Sequence, residues 1–288
     1  MRKILVTGAT GFIGQYVVDR LLSEGHVVIA TSAHEEHARQ LPWFDRVRYI
    51  PFDLADFDPA VDYYRFFNEP DAIIHLAWEG LPNYKSSFHL DVNYPRHAAF
   101  LGNLIRNGLR DITVTGTCLE YGMQEGALTE DVPANPANPY AMAKDMLRRR
   151  LQELQAGLPF IFRWVRLFYM YGRGQNQKSL LSQLEKALEE GASVFNMSGG
   201  DQVRDYLPVE KVADYLARIA TQEEIIGIIN CCSGNPVAVK DFVKDYLRRT
   251  HKEIKLNLGY YPYPDYEPMK FWGDNKKLRS IIDEDDLY

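Results

Sequence analysis

An apolar run from Arg2 to Thr7 (RKILVT) passes straight into Thr7-Gly8-Ala9-Thr10-Gly11-Phe12-Ile13-Gly14, and no other join in the chain constrains the fold as much. The run reads as a buried strand. Gly8 allows a tight turn, Gly11 lets a pyrophosphate approach the backbone, and Gly14 permits a helix to pack closely on the strand. The helix start then offers unpaired N–H groups and a positive dipole end to phosphate. A glycine triplet alone also suits a purely structural turn. Here it lies between a strand and a helix carrying Ile13, Val17 and Leu21 at helical spacing, so the whole stretch, including Thr10, Phe12 and Ile13, is expected to bind a dinucleotide.

Strand and helix signals alternate from there. Gly25 ends the first helix, and His26 to Thr31, Val47 to Pro51 and Ala72 to Ala77 read as strands. A helix from Val92 to Asn107 stops at Gly108, Asp111 to Thr117 is a fifth strand, and Tyr140 opens a helix reaching Leu154. Phe160 to Leu167 is a sixth strand. This alternation predicts an α/β fold, a Rossmann doubly wound parallel sheet whose ligands sit at the carboxyl ends of its strands. After Tyr171 the pattern loosens, with helices near Ser179 to Glu190 and Val209 to Ala220, a strand near Ile225 to Cys231, and an aromatic, proline-rich tail. The expected division is a dinucleotide-binding domain over 1–168 and a smaller mixed α/β C-terminal substrate lobe over 169–288. Residues 205–232 are expected to return to the first domain, and the two lobes to meet in a cleft.

Composition excludes several classes. Of 288 residues, 46% are hydrophobic and 25% charged, the balance of a globular domain. No apolar run reaches the roughly 18–20 residues that span a bilayer, and the early glycines interrupt anything resembling a signal peptide. Cys118, Cys231 and Cys232 lack metal-ligand spacing and suit a reducing compartment. The expectation is a cytoplasmic protein with no membrane or metal partner. A net charge of −6, with Arg148 to Arg150 as the longest basic run, gives no footprint for nucleic acid.

The cofactor is read from the next two strands. An NAD site usually places a carboxylate about 20 residues beyond the glycines, on the ribose hydroxyls. Here Thr31 and Ser32 stand there and the first carboxylate is Glu35. Short hydroxyls leave room for a 2′-phosphate, which His34 or Arg39 could meet, so NADP is favoured with NAD as the alternative. Asp53, before Leu54, suits an adenine amino group, or else caps its own loop.

Tyr140 and Lys144 lie four apart, on one helical face. A free phenol titrates near pH 10, and a neighbouring ammonium lowers that value, so the tyrosine could exchange a proton with a substrate oxygen. Such a pair alone is often only a helix surface. With TGATGFIG, Asp53-Leu54, His75-Leu76-Ala77, Asn93, Thr117 five residues before Gly122, Arg166-Leu167-Phe168 leading to Tyr171-Gly172, and Gly200 to Asp205, it resembles the extended short-chain dehydrogenase/reductase family, in its nucleotide-sugar epimerase/dehydratase branch.

That resemblance implies a nucleotide-diphosphate sugar substrate and a homodimer formed by the Asn93 and Tyr140 helices. It makes Thr117, Tyr140 and Lys144 catalytic, lays Leu76 and Ala77 against the cofactor, and gives Lys144 the nicotinamide ribose. Asn93 supports the active site, Arg204 grips the diphosphate, and Tyr169 stands where the family often has an asparagine. Arg204 could instead form a salt bridge with Asp201 or Asp205. Trp78 and Tyr84 line the sugar pocket or belong to the core. Cys118 and Leu119 replace the Asp-Glu of 4,6-dehydratases, and Glu120 comes one step too late on a strand, which disfavours dehydration. The expected reaction is reduction of a nucleotide-linked 4-keto-6-deoxy sugar. A C4 epimerase is the alternative, and a non-catalytic dinucleotide sensor is the reading from another class.

Overall fold

In the computed structural model, which describes residues 1–282, the first half runs β1 (Lys3–Thr7), α1 (Gly14–Ser23), β2 (Val27–Thr31), α2 (Glu35–Ala38), β3 (Arg48–Tyr49), α3 (Tyr63–Phe66), β4 (Ala72–His75), α4 (Tyr94–Asn107), β5 (Asp111–Thr117), β6 (Gly126–Leu128), α5 (Pro139–Gly157) and β7 (Ile161–Leu167). The second half runs β8 (Tyr169–Tyr171), α6 (Leu180–Glu189), β9 (Val194–Asn196), β10 (Val203–Pro208), α7 (Val209–Thr221), β11 (Gly227–Cys231), β12 (Pro236–Ala238), α8 (Val239–Thr250), β13 (Lys255–Asn257), β14 (Phe271–Gly273) and α9 (Lys276–Arg279).

Among the described residues, seven strands form one parallel sheet in the order β11-β7-β5-β4-β1-β2-β3. The order reverses between β1 and β4, the point at which doubly wound sheets open a crevice. The strands are apolar on both faces because helices cover both. Ile4, Val6, Val28, Ala30 and Ile74 face α1 and α7 in one core. Leu5, Ile29 and Ile73, the alternate residues, face α3, α4 and α5 in a second. The second core is rich in rings, with Phe52 packed against Tyr63, Phe67 and Phe100 at centroid separations of 4.9–5.7 Å.

A three-stranded sheet (β12-β10-β8) and the pair β13-β9 lie outside the main sheet, while β14 pairs with β6. β11 lies beside β7 at the edge of the main sheet, and α7 packs on α1 through Leu216, Ile219, Val17 and Leu21.

One expectation is corrected, and one element was not foreseen. The third strand is only Arg48–Tyr49, with the Ile50 and Phe52 N–H groups beyond it still donating to the Ala30 and Ser32 carbonyls. The stretch after β12 is a regular helix, α8, whose Val239, Phe242, Val243 and Leu247 recur at helical spacing and pack on α6 residues Leu181 and Leu184. That period was legible in the sequence. Among the described residues no helix is long and apolar enough to cross a membrane.

Candidate active site

The glycine loop shows what each glycine does. Gly8 has φ of +67°, and a Cβ there would stand 2.8 Å from the Ala77 nitrogen, so the turn is wedged against the chain leaving β4. A Cβ on Gly14 would collide with the Gly8 carbonyl oxygen and Ala9. The close packing is therefore of the helix on its own loop rather than on the strand. Gly11 is exposed, and a Cβ there would meet only the Gly8 oxygen, at 3.1 Å. Among the described residues α1 has no side-chain cap, and its first turn has no acidic residue. Its N–H groups and dipole are left for an anion, which suits the diphosphate of a dinucleotide. Thr10, Phe12 and Ile13 border this turn, partly buried.

Leu76 and Ala77 leave β4 with their N–H groups on the Thr7 hydroxyl, at 3.2 and 3.4 Å. At the end of β2, the buried Thr31 hydroxyl has no partner among the described residues, whereas Ser32 shares its hydroxyl with Tyr49 at 2.7 Å. Asp53 Oδ1 accepts from the Ala55 N–H at 2.8 Å, so the aspartate caps its own turn, and Leu54 packs beside the second core. Both cations expected to meet a 2′-phosphate have acidic neighbours. Arg39 Nη2 is 2.5 Å from Glu35, and His34 is 3.7 Å from Glu36.

Thr117, Tyr140 and Lys144 gather where β5 ends and α5 begins. Pro139 sits in the first turn of α5, and the Asn138 side chain accepts from the Ala141 N–H at 2.9 Å, which fixes the helix start one residue ahead of Tyr140. The Tyr140 N–H donates to the Tyr84 carbonyl at 3.1 Å, and its side chain hydrogen-bonds Thr117. Lys144, 2% exposed, donates from Nζ to the Thr115 carbonyl at 2.9 Å.

Burial dominates the electrostatics. It pushes the Lys144 pKa down to about 7, against a smaller upward pull from Glu120. It pushes the Tyr140 phenol upward, reinforced by Tyr84, Glu120 and Cys118, with only the Thr117 hydrogen bond opposing. The ammonium was expected to lower the phenol, but burial raises it instead. The resting tyrosine is a proton-bearing acid.

With this geometry in view, likeness to known proteins is specific. The model of the NAD dependent epimerase/dehydratase family matches residues 4–232. The chain belongs to that family. One relative is the dTDP-6-deoxy-L-talose 4-dehydrogenase (NAD(+)) of Aggregatibacter actinomycetemcomitans, 30% identical over 94% of this chain and 99% of its own. The UDP-glucose 4-epimerase of Mycolicibacterium smegmatis is 27% identical over 97% of this chain and 92% of its own. In fold the chain is similar to the UDP-glucuronic acid 4-epimerase of Bacillus cereus, solved with UDP-glucuronic acid and NAD, at a TM-score of 0.83 and 22% identity, covering 97% of this chain and 92% of that one.

Several side chains of this family member are committed elsewhere than expected. Arg204, 2% exposed, forms an ion pair with neither aspartate among the described residues. Its Nη2 lies 2.9 Å from Glu267, its Nη1 donates to the Val203 and Met269 carbonyls, and Tyr169 donates its hydroxyl to the same Glu267 carboxylate. Asp201 takes Lys240 at 2.6 Å, and Asp205 accepts from the Ser233 and Gly234 N–H groups. Glu267 lies in the proline-rich tail, 63 positions from Arg204, and no local spacing announced it. Asn93 is buried and spends its amide on the Glu79 carbonyl and on His89, so it holds the loop after β4.

Glu120 is not on a strand. It belongs to a 3₁₀ turn, Cys118–Tyr121, that Thr117 caps. Its buried carboxylate accepts from the Thr117 N–H, the Trp164 indole and Arg166 at 2.8–3.0 Å. Cys118 and Leu119 are buried, and burial drives the Cys118 thiol upward. Gly116 leaves the space that the Trp164 indole fills.

His89 was missed altogether. Trp78 and Asn93 both donate to its Nδ1, at 3.2 Å, so Nε2 carries the proton and donates to the Asn83 carbonyl at 3.0 Å. Its ring lies 5.3 Å from that of Tyr140, with Tyr84 at 5.5 Å and Trp78 at 6.0 Å completing an aromatic wall. Only contact across the fold gives this histidine meaning.

Proposed function

We propose that the protein catalyses NAD-dependent oxidation and reduction at C4 of a thymidine-diphosphate-linked 6-deoxyhexose, acting on the 4-keto sugar in the reducing direction. One observation carries the reading. Among the described groups around the Thr117–Tyr140 hydrogen bond, the phenols of Tyr140 and its neighbour Tyr84 are the acids free to exchange a proton with a substrate, and of the two Tyr140 is the one bonded to Thr117. Glu120 is fixed to Arg166 and Trp164, both His89 nitrogens are engaged, and the Cys118 thiol is held protonated. A single proton donor suffices for carbonyl reduction, whereas dehydration needs further acid–base groups. The relative that acts as a 6-deoxy-talose 4-dehydrogenase, alike over 94% of this chain, supports the choice of sugar.

The loop from Gly8 to Gly14 and Thr31 would hold the dinucleotide, with Leu76, Ala77 and Lys144 toward its nicotinamide half. When bound, that cofactor supplies or accepts a hydride. Thr117 orients the sugar oxygen, Tyr140 donates its proton to that oxygen, and the Lys144 ammonium stabilises the phenolate left behind. Trp78 and Tyr84 give the sugar an apolar wall. Arg204 reaches a diphosphate by exchanging Glu267 for it. NAD is preferred over NADP because Arg39, the arginine that could meet a 2′-phosphate, already pairs with Glu35. A homodimer through α4 and α5 fits the exposure of Met142 and Met146 on α5, and light scattering tests it.

The deciding experiment follows NADH consumption with a dTDP-4-keto-6-deoxyhexose. Turnover stoichiometric with the keto sugar is expected, with Tyr140→Phe slower by roughly 10²–10⁴-fold. Interconversion of C4 epimers by enzyme that retains its NAD, with no net NADH consumed, would establish the epimerase reading instead.

A further inference from the structure

The Lys144 ammonium rests on an aromatic face. Its Nζ stands 4.0 Å from the centroid of the Trp78 ring, well inside the roughly 6 Å range of a cation–π contact. Lys144 is buried and Trp78 half-buried, and Lys144 has one hydrogen bond to protein, the Thr115 carbonyl, among those described. The indole is itself fixed on three sides. It stacks on His97 at 4.6 Å and 21°. His97 Nδ1 bonds His75 Nε2 at 2.7 Å, and His75 Nδ1 bonds the Thr7 hydroxyl at 2.8 Å. Burial holds both histidines neutral, His75 down to about 3 and His97 well below its ordinary value, so this stack adds no positive charge beneath the ammonium. On the third side the indole N–H donates to His89, whose ring faces Tyr140.

We propose that Trp78 is a positioning residue for both halves of the proton-transfer pair, holding the Lys144 ammonium on its ring face and steadying Tyr140 through His89. The chain Thr7–His75–His97–Trp78 thereby ties the end of β1, where the glycine loop starts, to the catalytic helix. A lysine taken out of water needs compensation, and a tryptophan face supplies it without a counter-ion that would quench the charge or compete for protons. The effect on catalysis rests on the Tyr140–Lys144 reading above, but the contact itself can be measured without turnover.

The test compares the full-length protein with its Trp78→Phe and Trp78→Leu variants. In cofactor-free protein labelled with ¹³C-lysine, the Lys144 Cε resonance, assigned by its loss in Lys144→Arg, is titrated with pH. Leucine keeps the site dry but removes the ring's negative face, so the Lys144 midpoint should fall by about one pH unit, with phenylalanine between leucine and wild type. The alkaline limb of kcat for keto-sugar reduction should move the same way in the same order. A midpoint unmoved in Trp78→Leu, or equal shifts with phenylalanine and leucine, would overturn the proposal. If the leucine variant does not fold, the phenylalanine variant decides, because the weaker face must lower the midpoint part-way. An ordered set of midpoints with activity insensitive to Tyr140→Phe would retain the Trp78–Lys144 contact and overturn the proposed reaction.

Discussion

Lys144→Met should make the protein more stable and inactive, and the gain should depend on pH in a defined way. Lys144 is fully buried, and its pKa falls from 10.5 to about 7 on folding. Each unit corresponds to about 1.4 kcal/mol, so burying the ammonium costs about 5 kcal/mol at pH 6, where folded and unfolded chains both carry the proton. That cost is the penalty methionine relieves. The sign follows from proton counts. Between pH 7 and 10.5 the unfolded chain holds the lysine proton and the folded chain does not, so this group makes wild type more stable as pH rises through that window. The variant lacks the dependence, so its advantage should shrink by about 3 kcal/mol between pH 6 and 9.5. Urea unfolding of both proteins at those two pH values measures the difference, and shifts common to all other groups cancel. A variant no more stable than wild type at pH 6, or an advantage that does not change with pH, would show that Lys144 is not a desolvated cation.

Gly14→Ala places a methyl group against the Gly8 carbonyl, straining the loop by about 1–3 kcal/mol, and calorimetry should show NAD binding weakened by roughly tenfold or more. Glu120→Ala leaves the buried Arg166 guanidinium without its partner, at a cost of about 3–5 kcal/mol, and thermal unfolding should fall by about 10 °C. Glu120→Gln, which keeps an acceptor, should lose less. Glu35→Gln frees the exposed Arg39, and kcat/KM with NADPH should rise by about two- to fivefold relative to NADH.

The sheet was legible because its strands are short apolar runs closed by glycine turns and separated by helices of clear period; β5 matches its expected bounds, Asp111 to Thr117, at both ends. The glycine loop was legible because its demands are on the backbone, written in consecutive residues. What escaped depends on residues far apart in the chain. Arg204 finds Glu267 across the second lobe, and the His89 nitrogens are satisfied by Asn83, Trp78 and Asn93 only once the loop after β4 has closed. The Tyr140 phenol moved opposite to expectation because charge proximity can be read from spacing, while the depth of burial cannot. Helix α8 was overlooked for a different reason, since its pattern is regular but sits between short irregular pieces.

The placement of β11 and α7 has a consequence for anyone dissecting this molecule. A fragment ending near residue 168 would leave the β7 edge unpaired and strip α1 of the apolar stripe made by Leu216 and Ile219. Such a half should self-associate rather than fold alone. The boundary visible in the architecture is therefore not one at which the polypeptide can be cut, and nicking within 169–200 should leave two pieces that remain together until denatured.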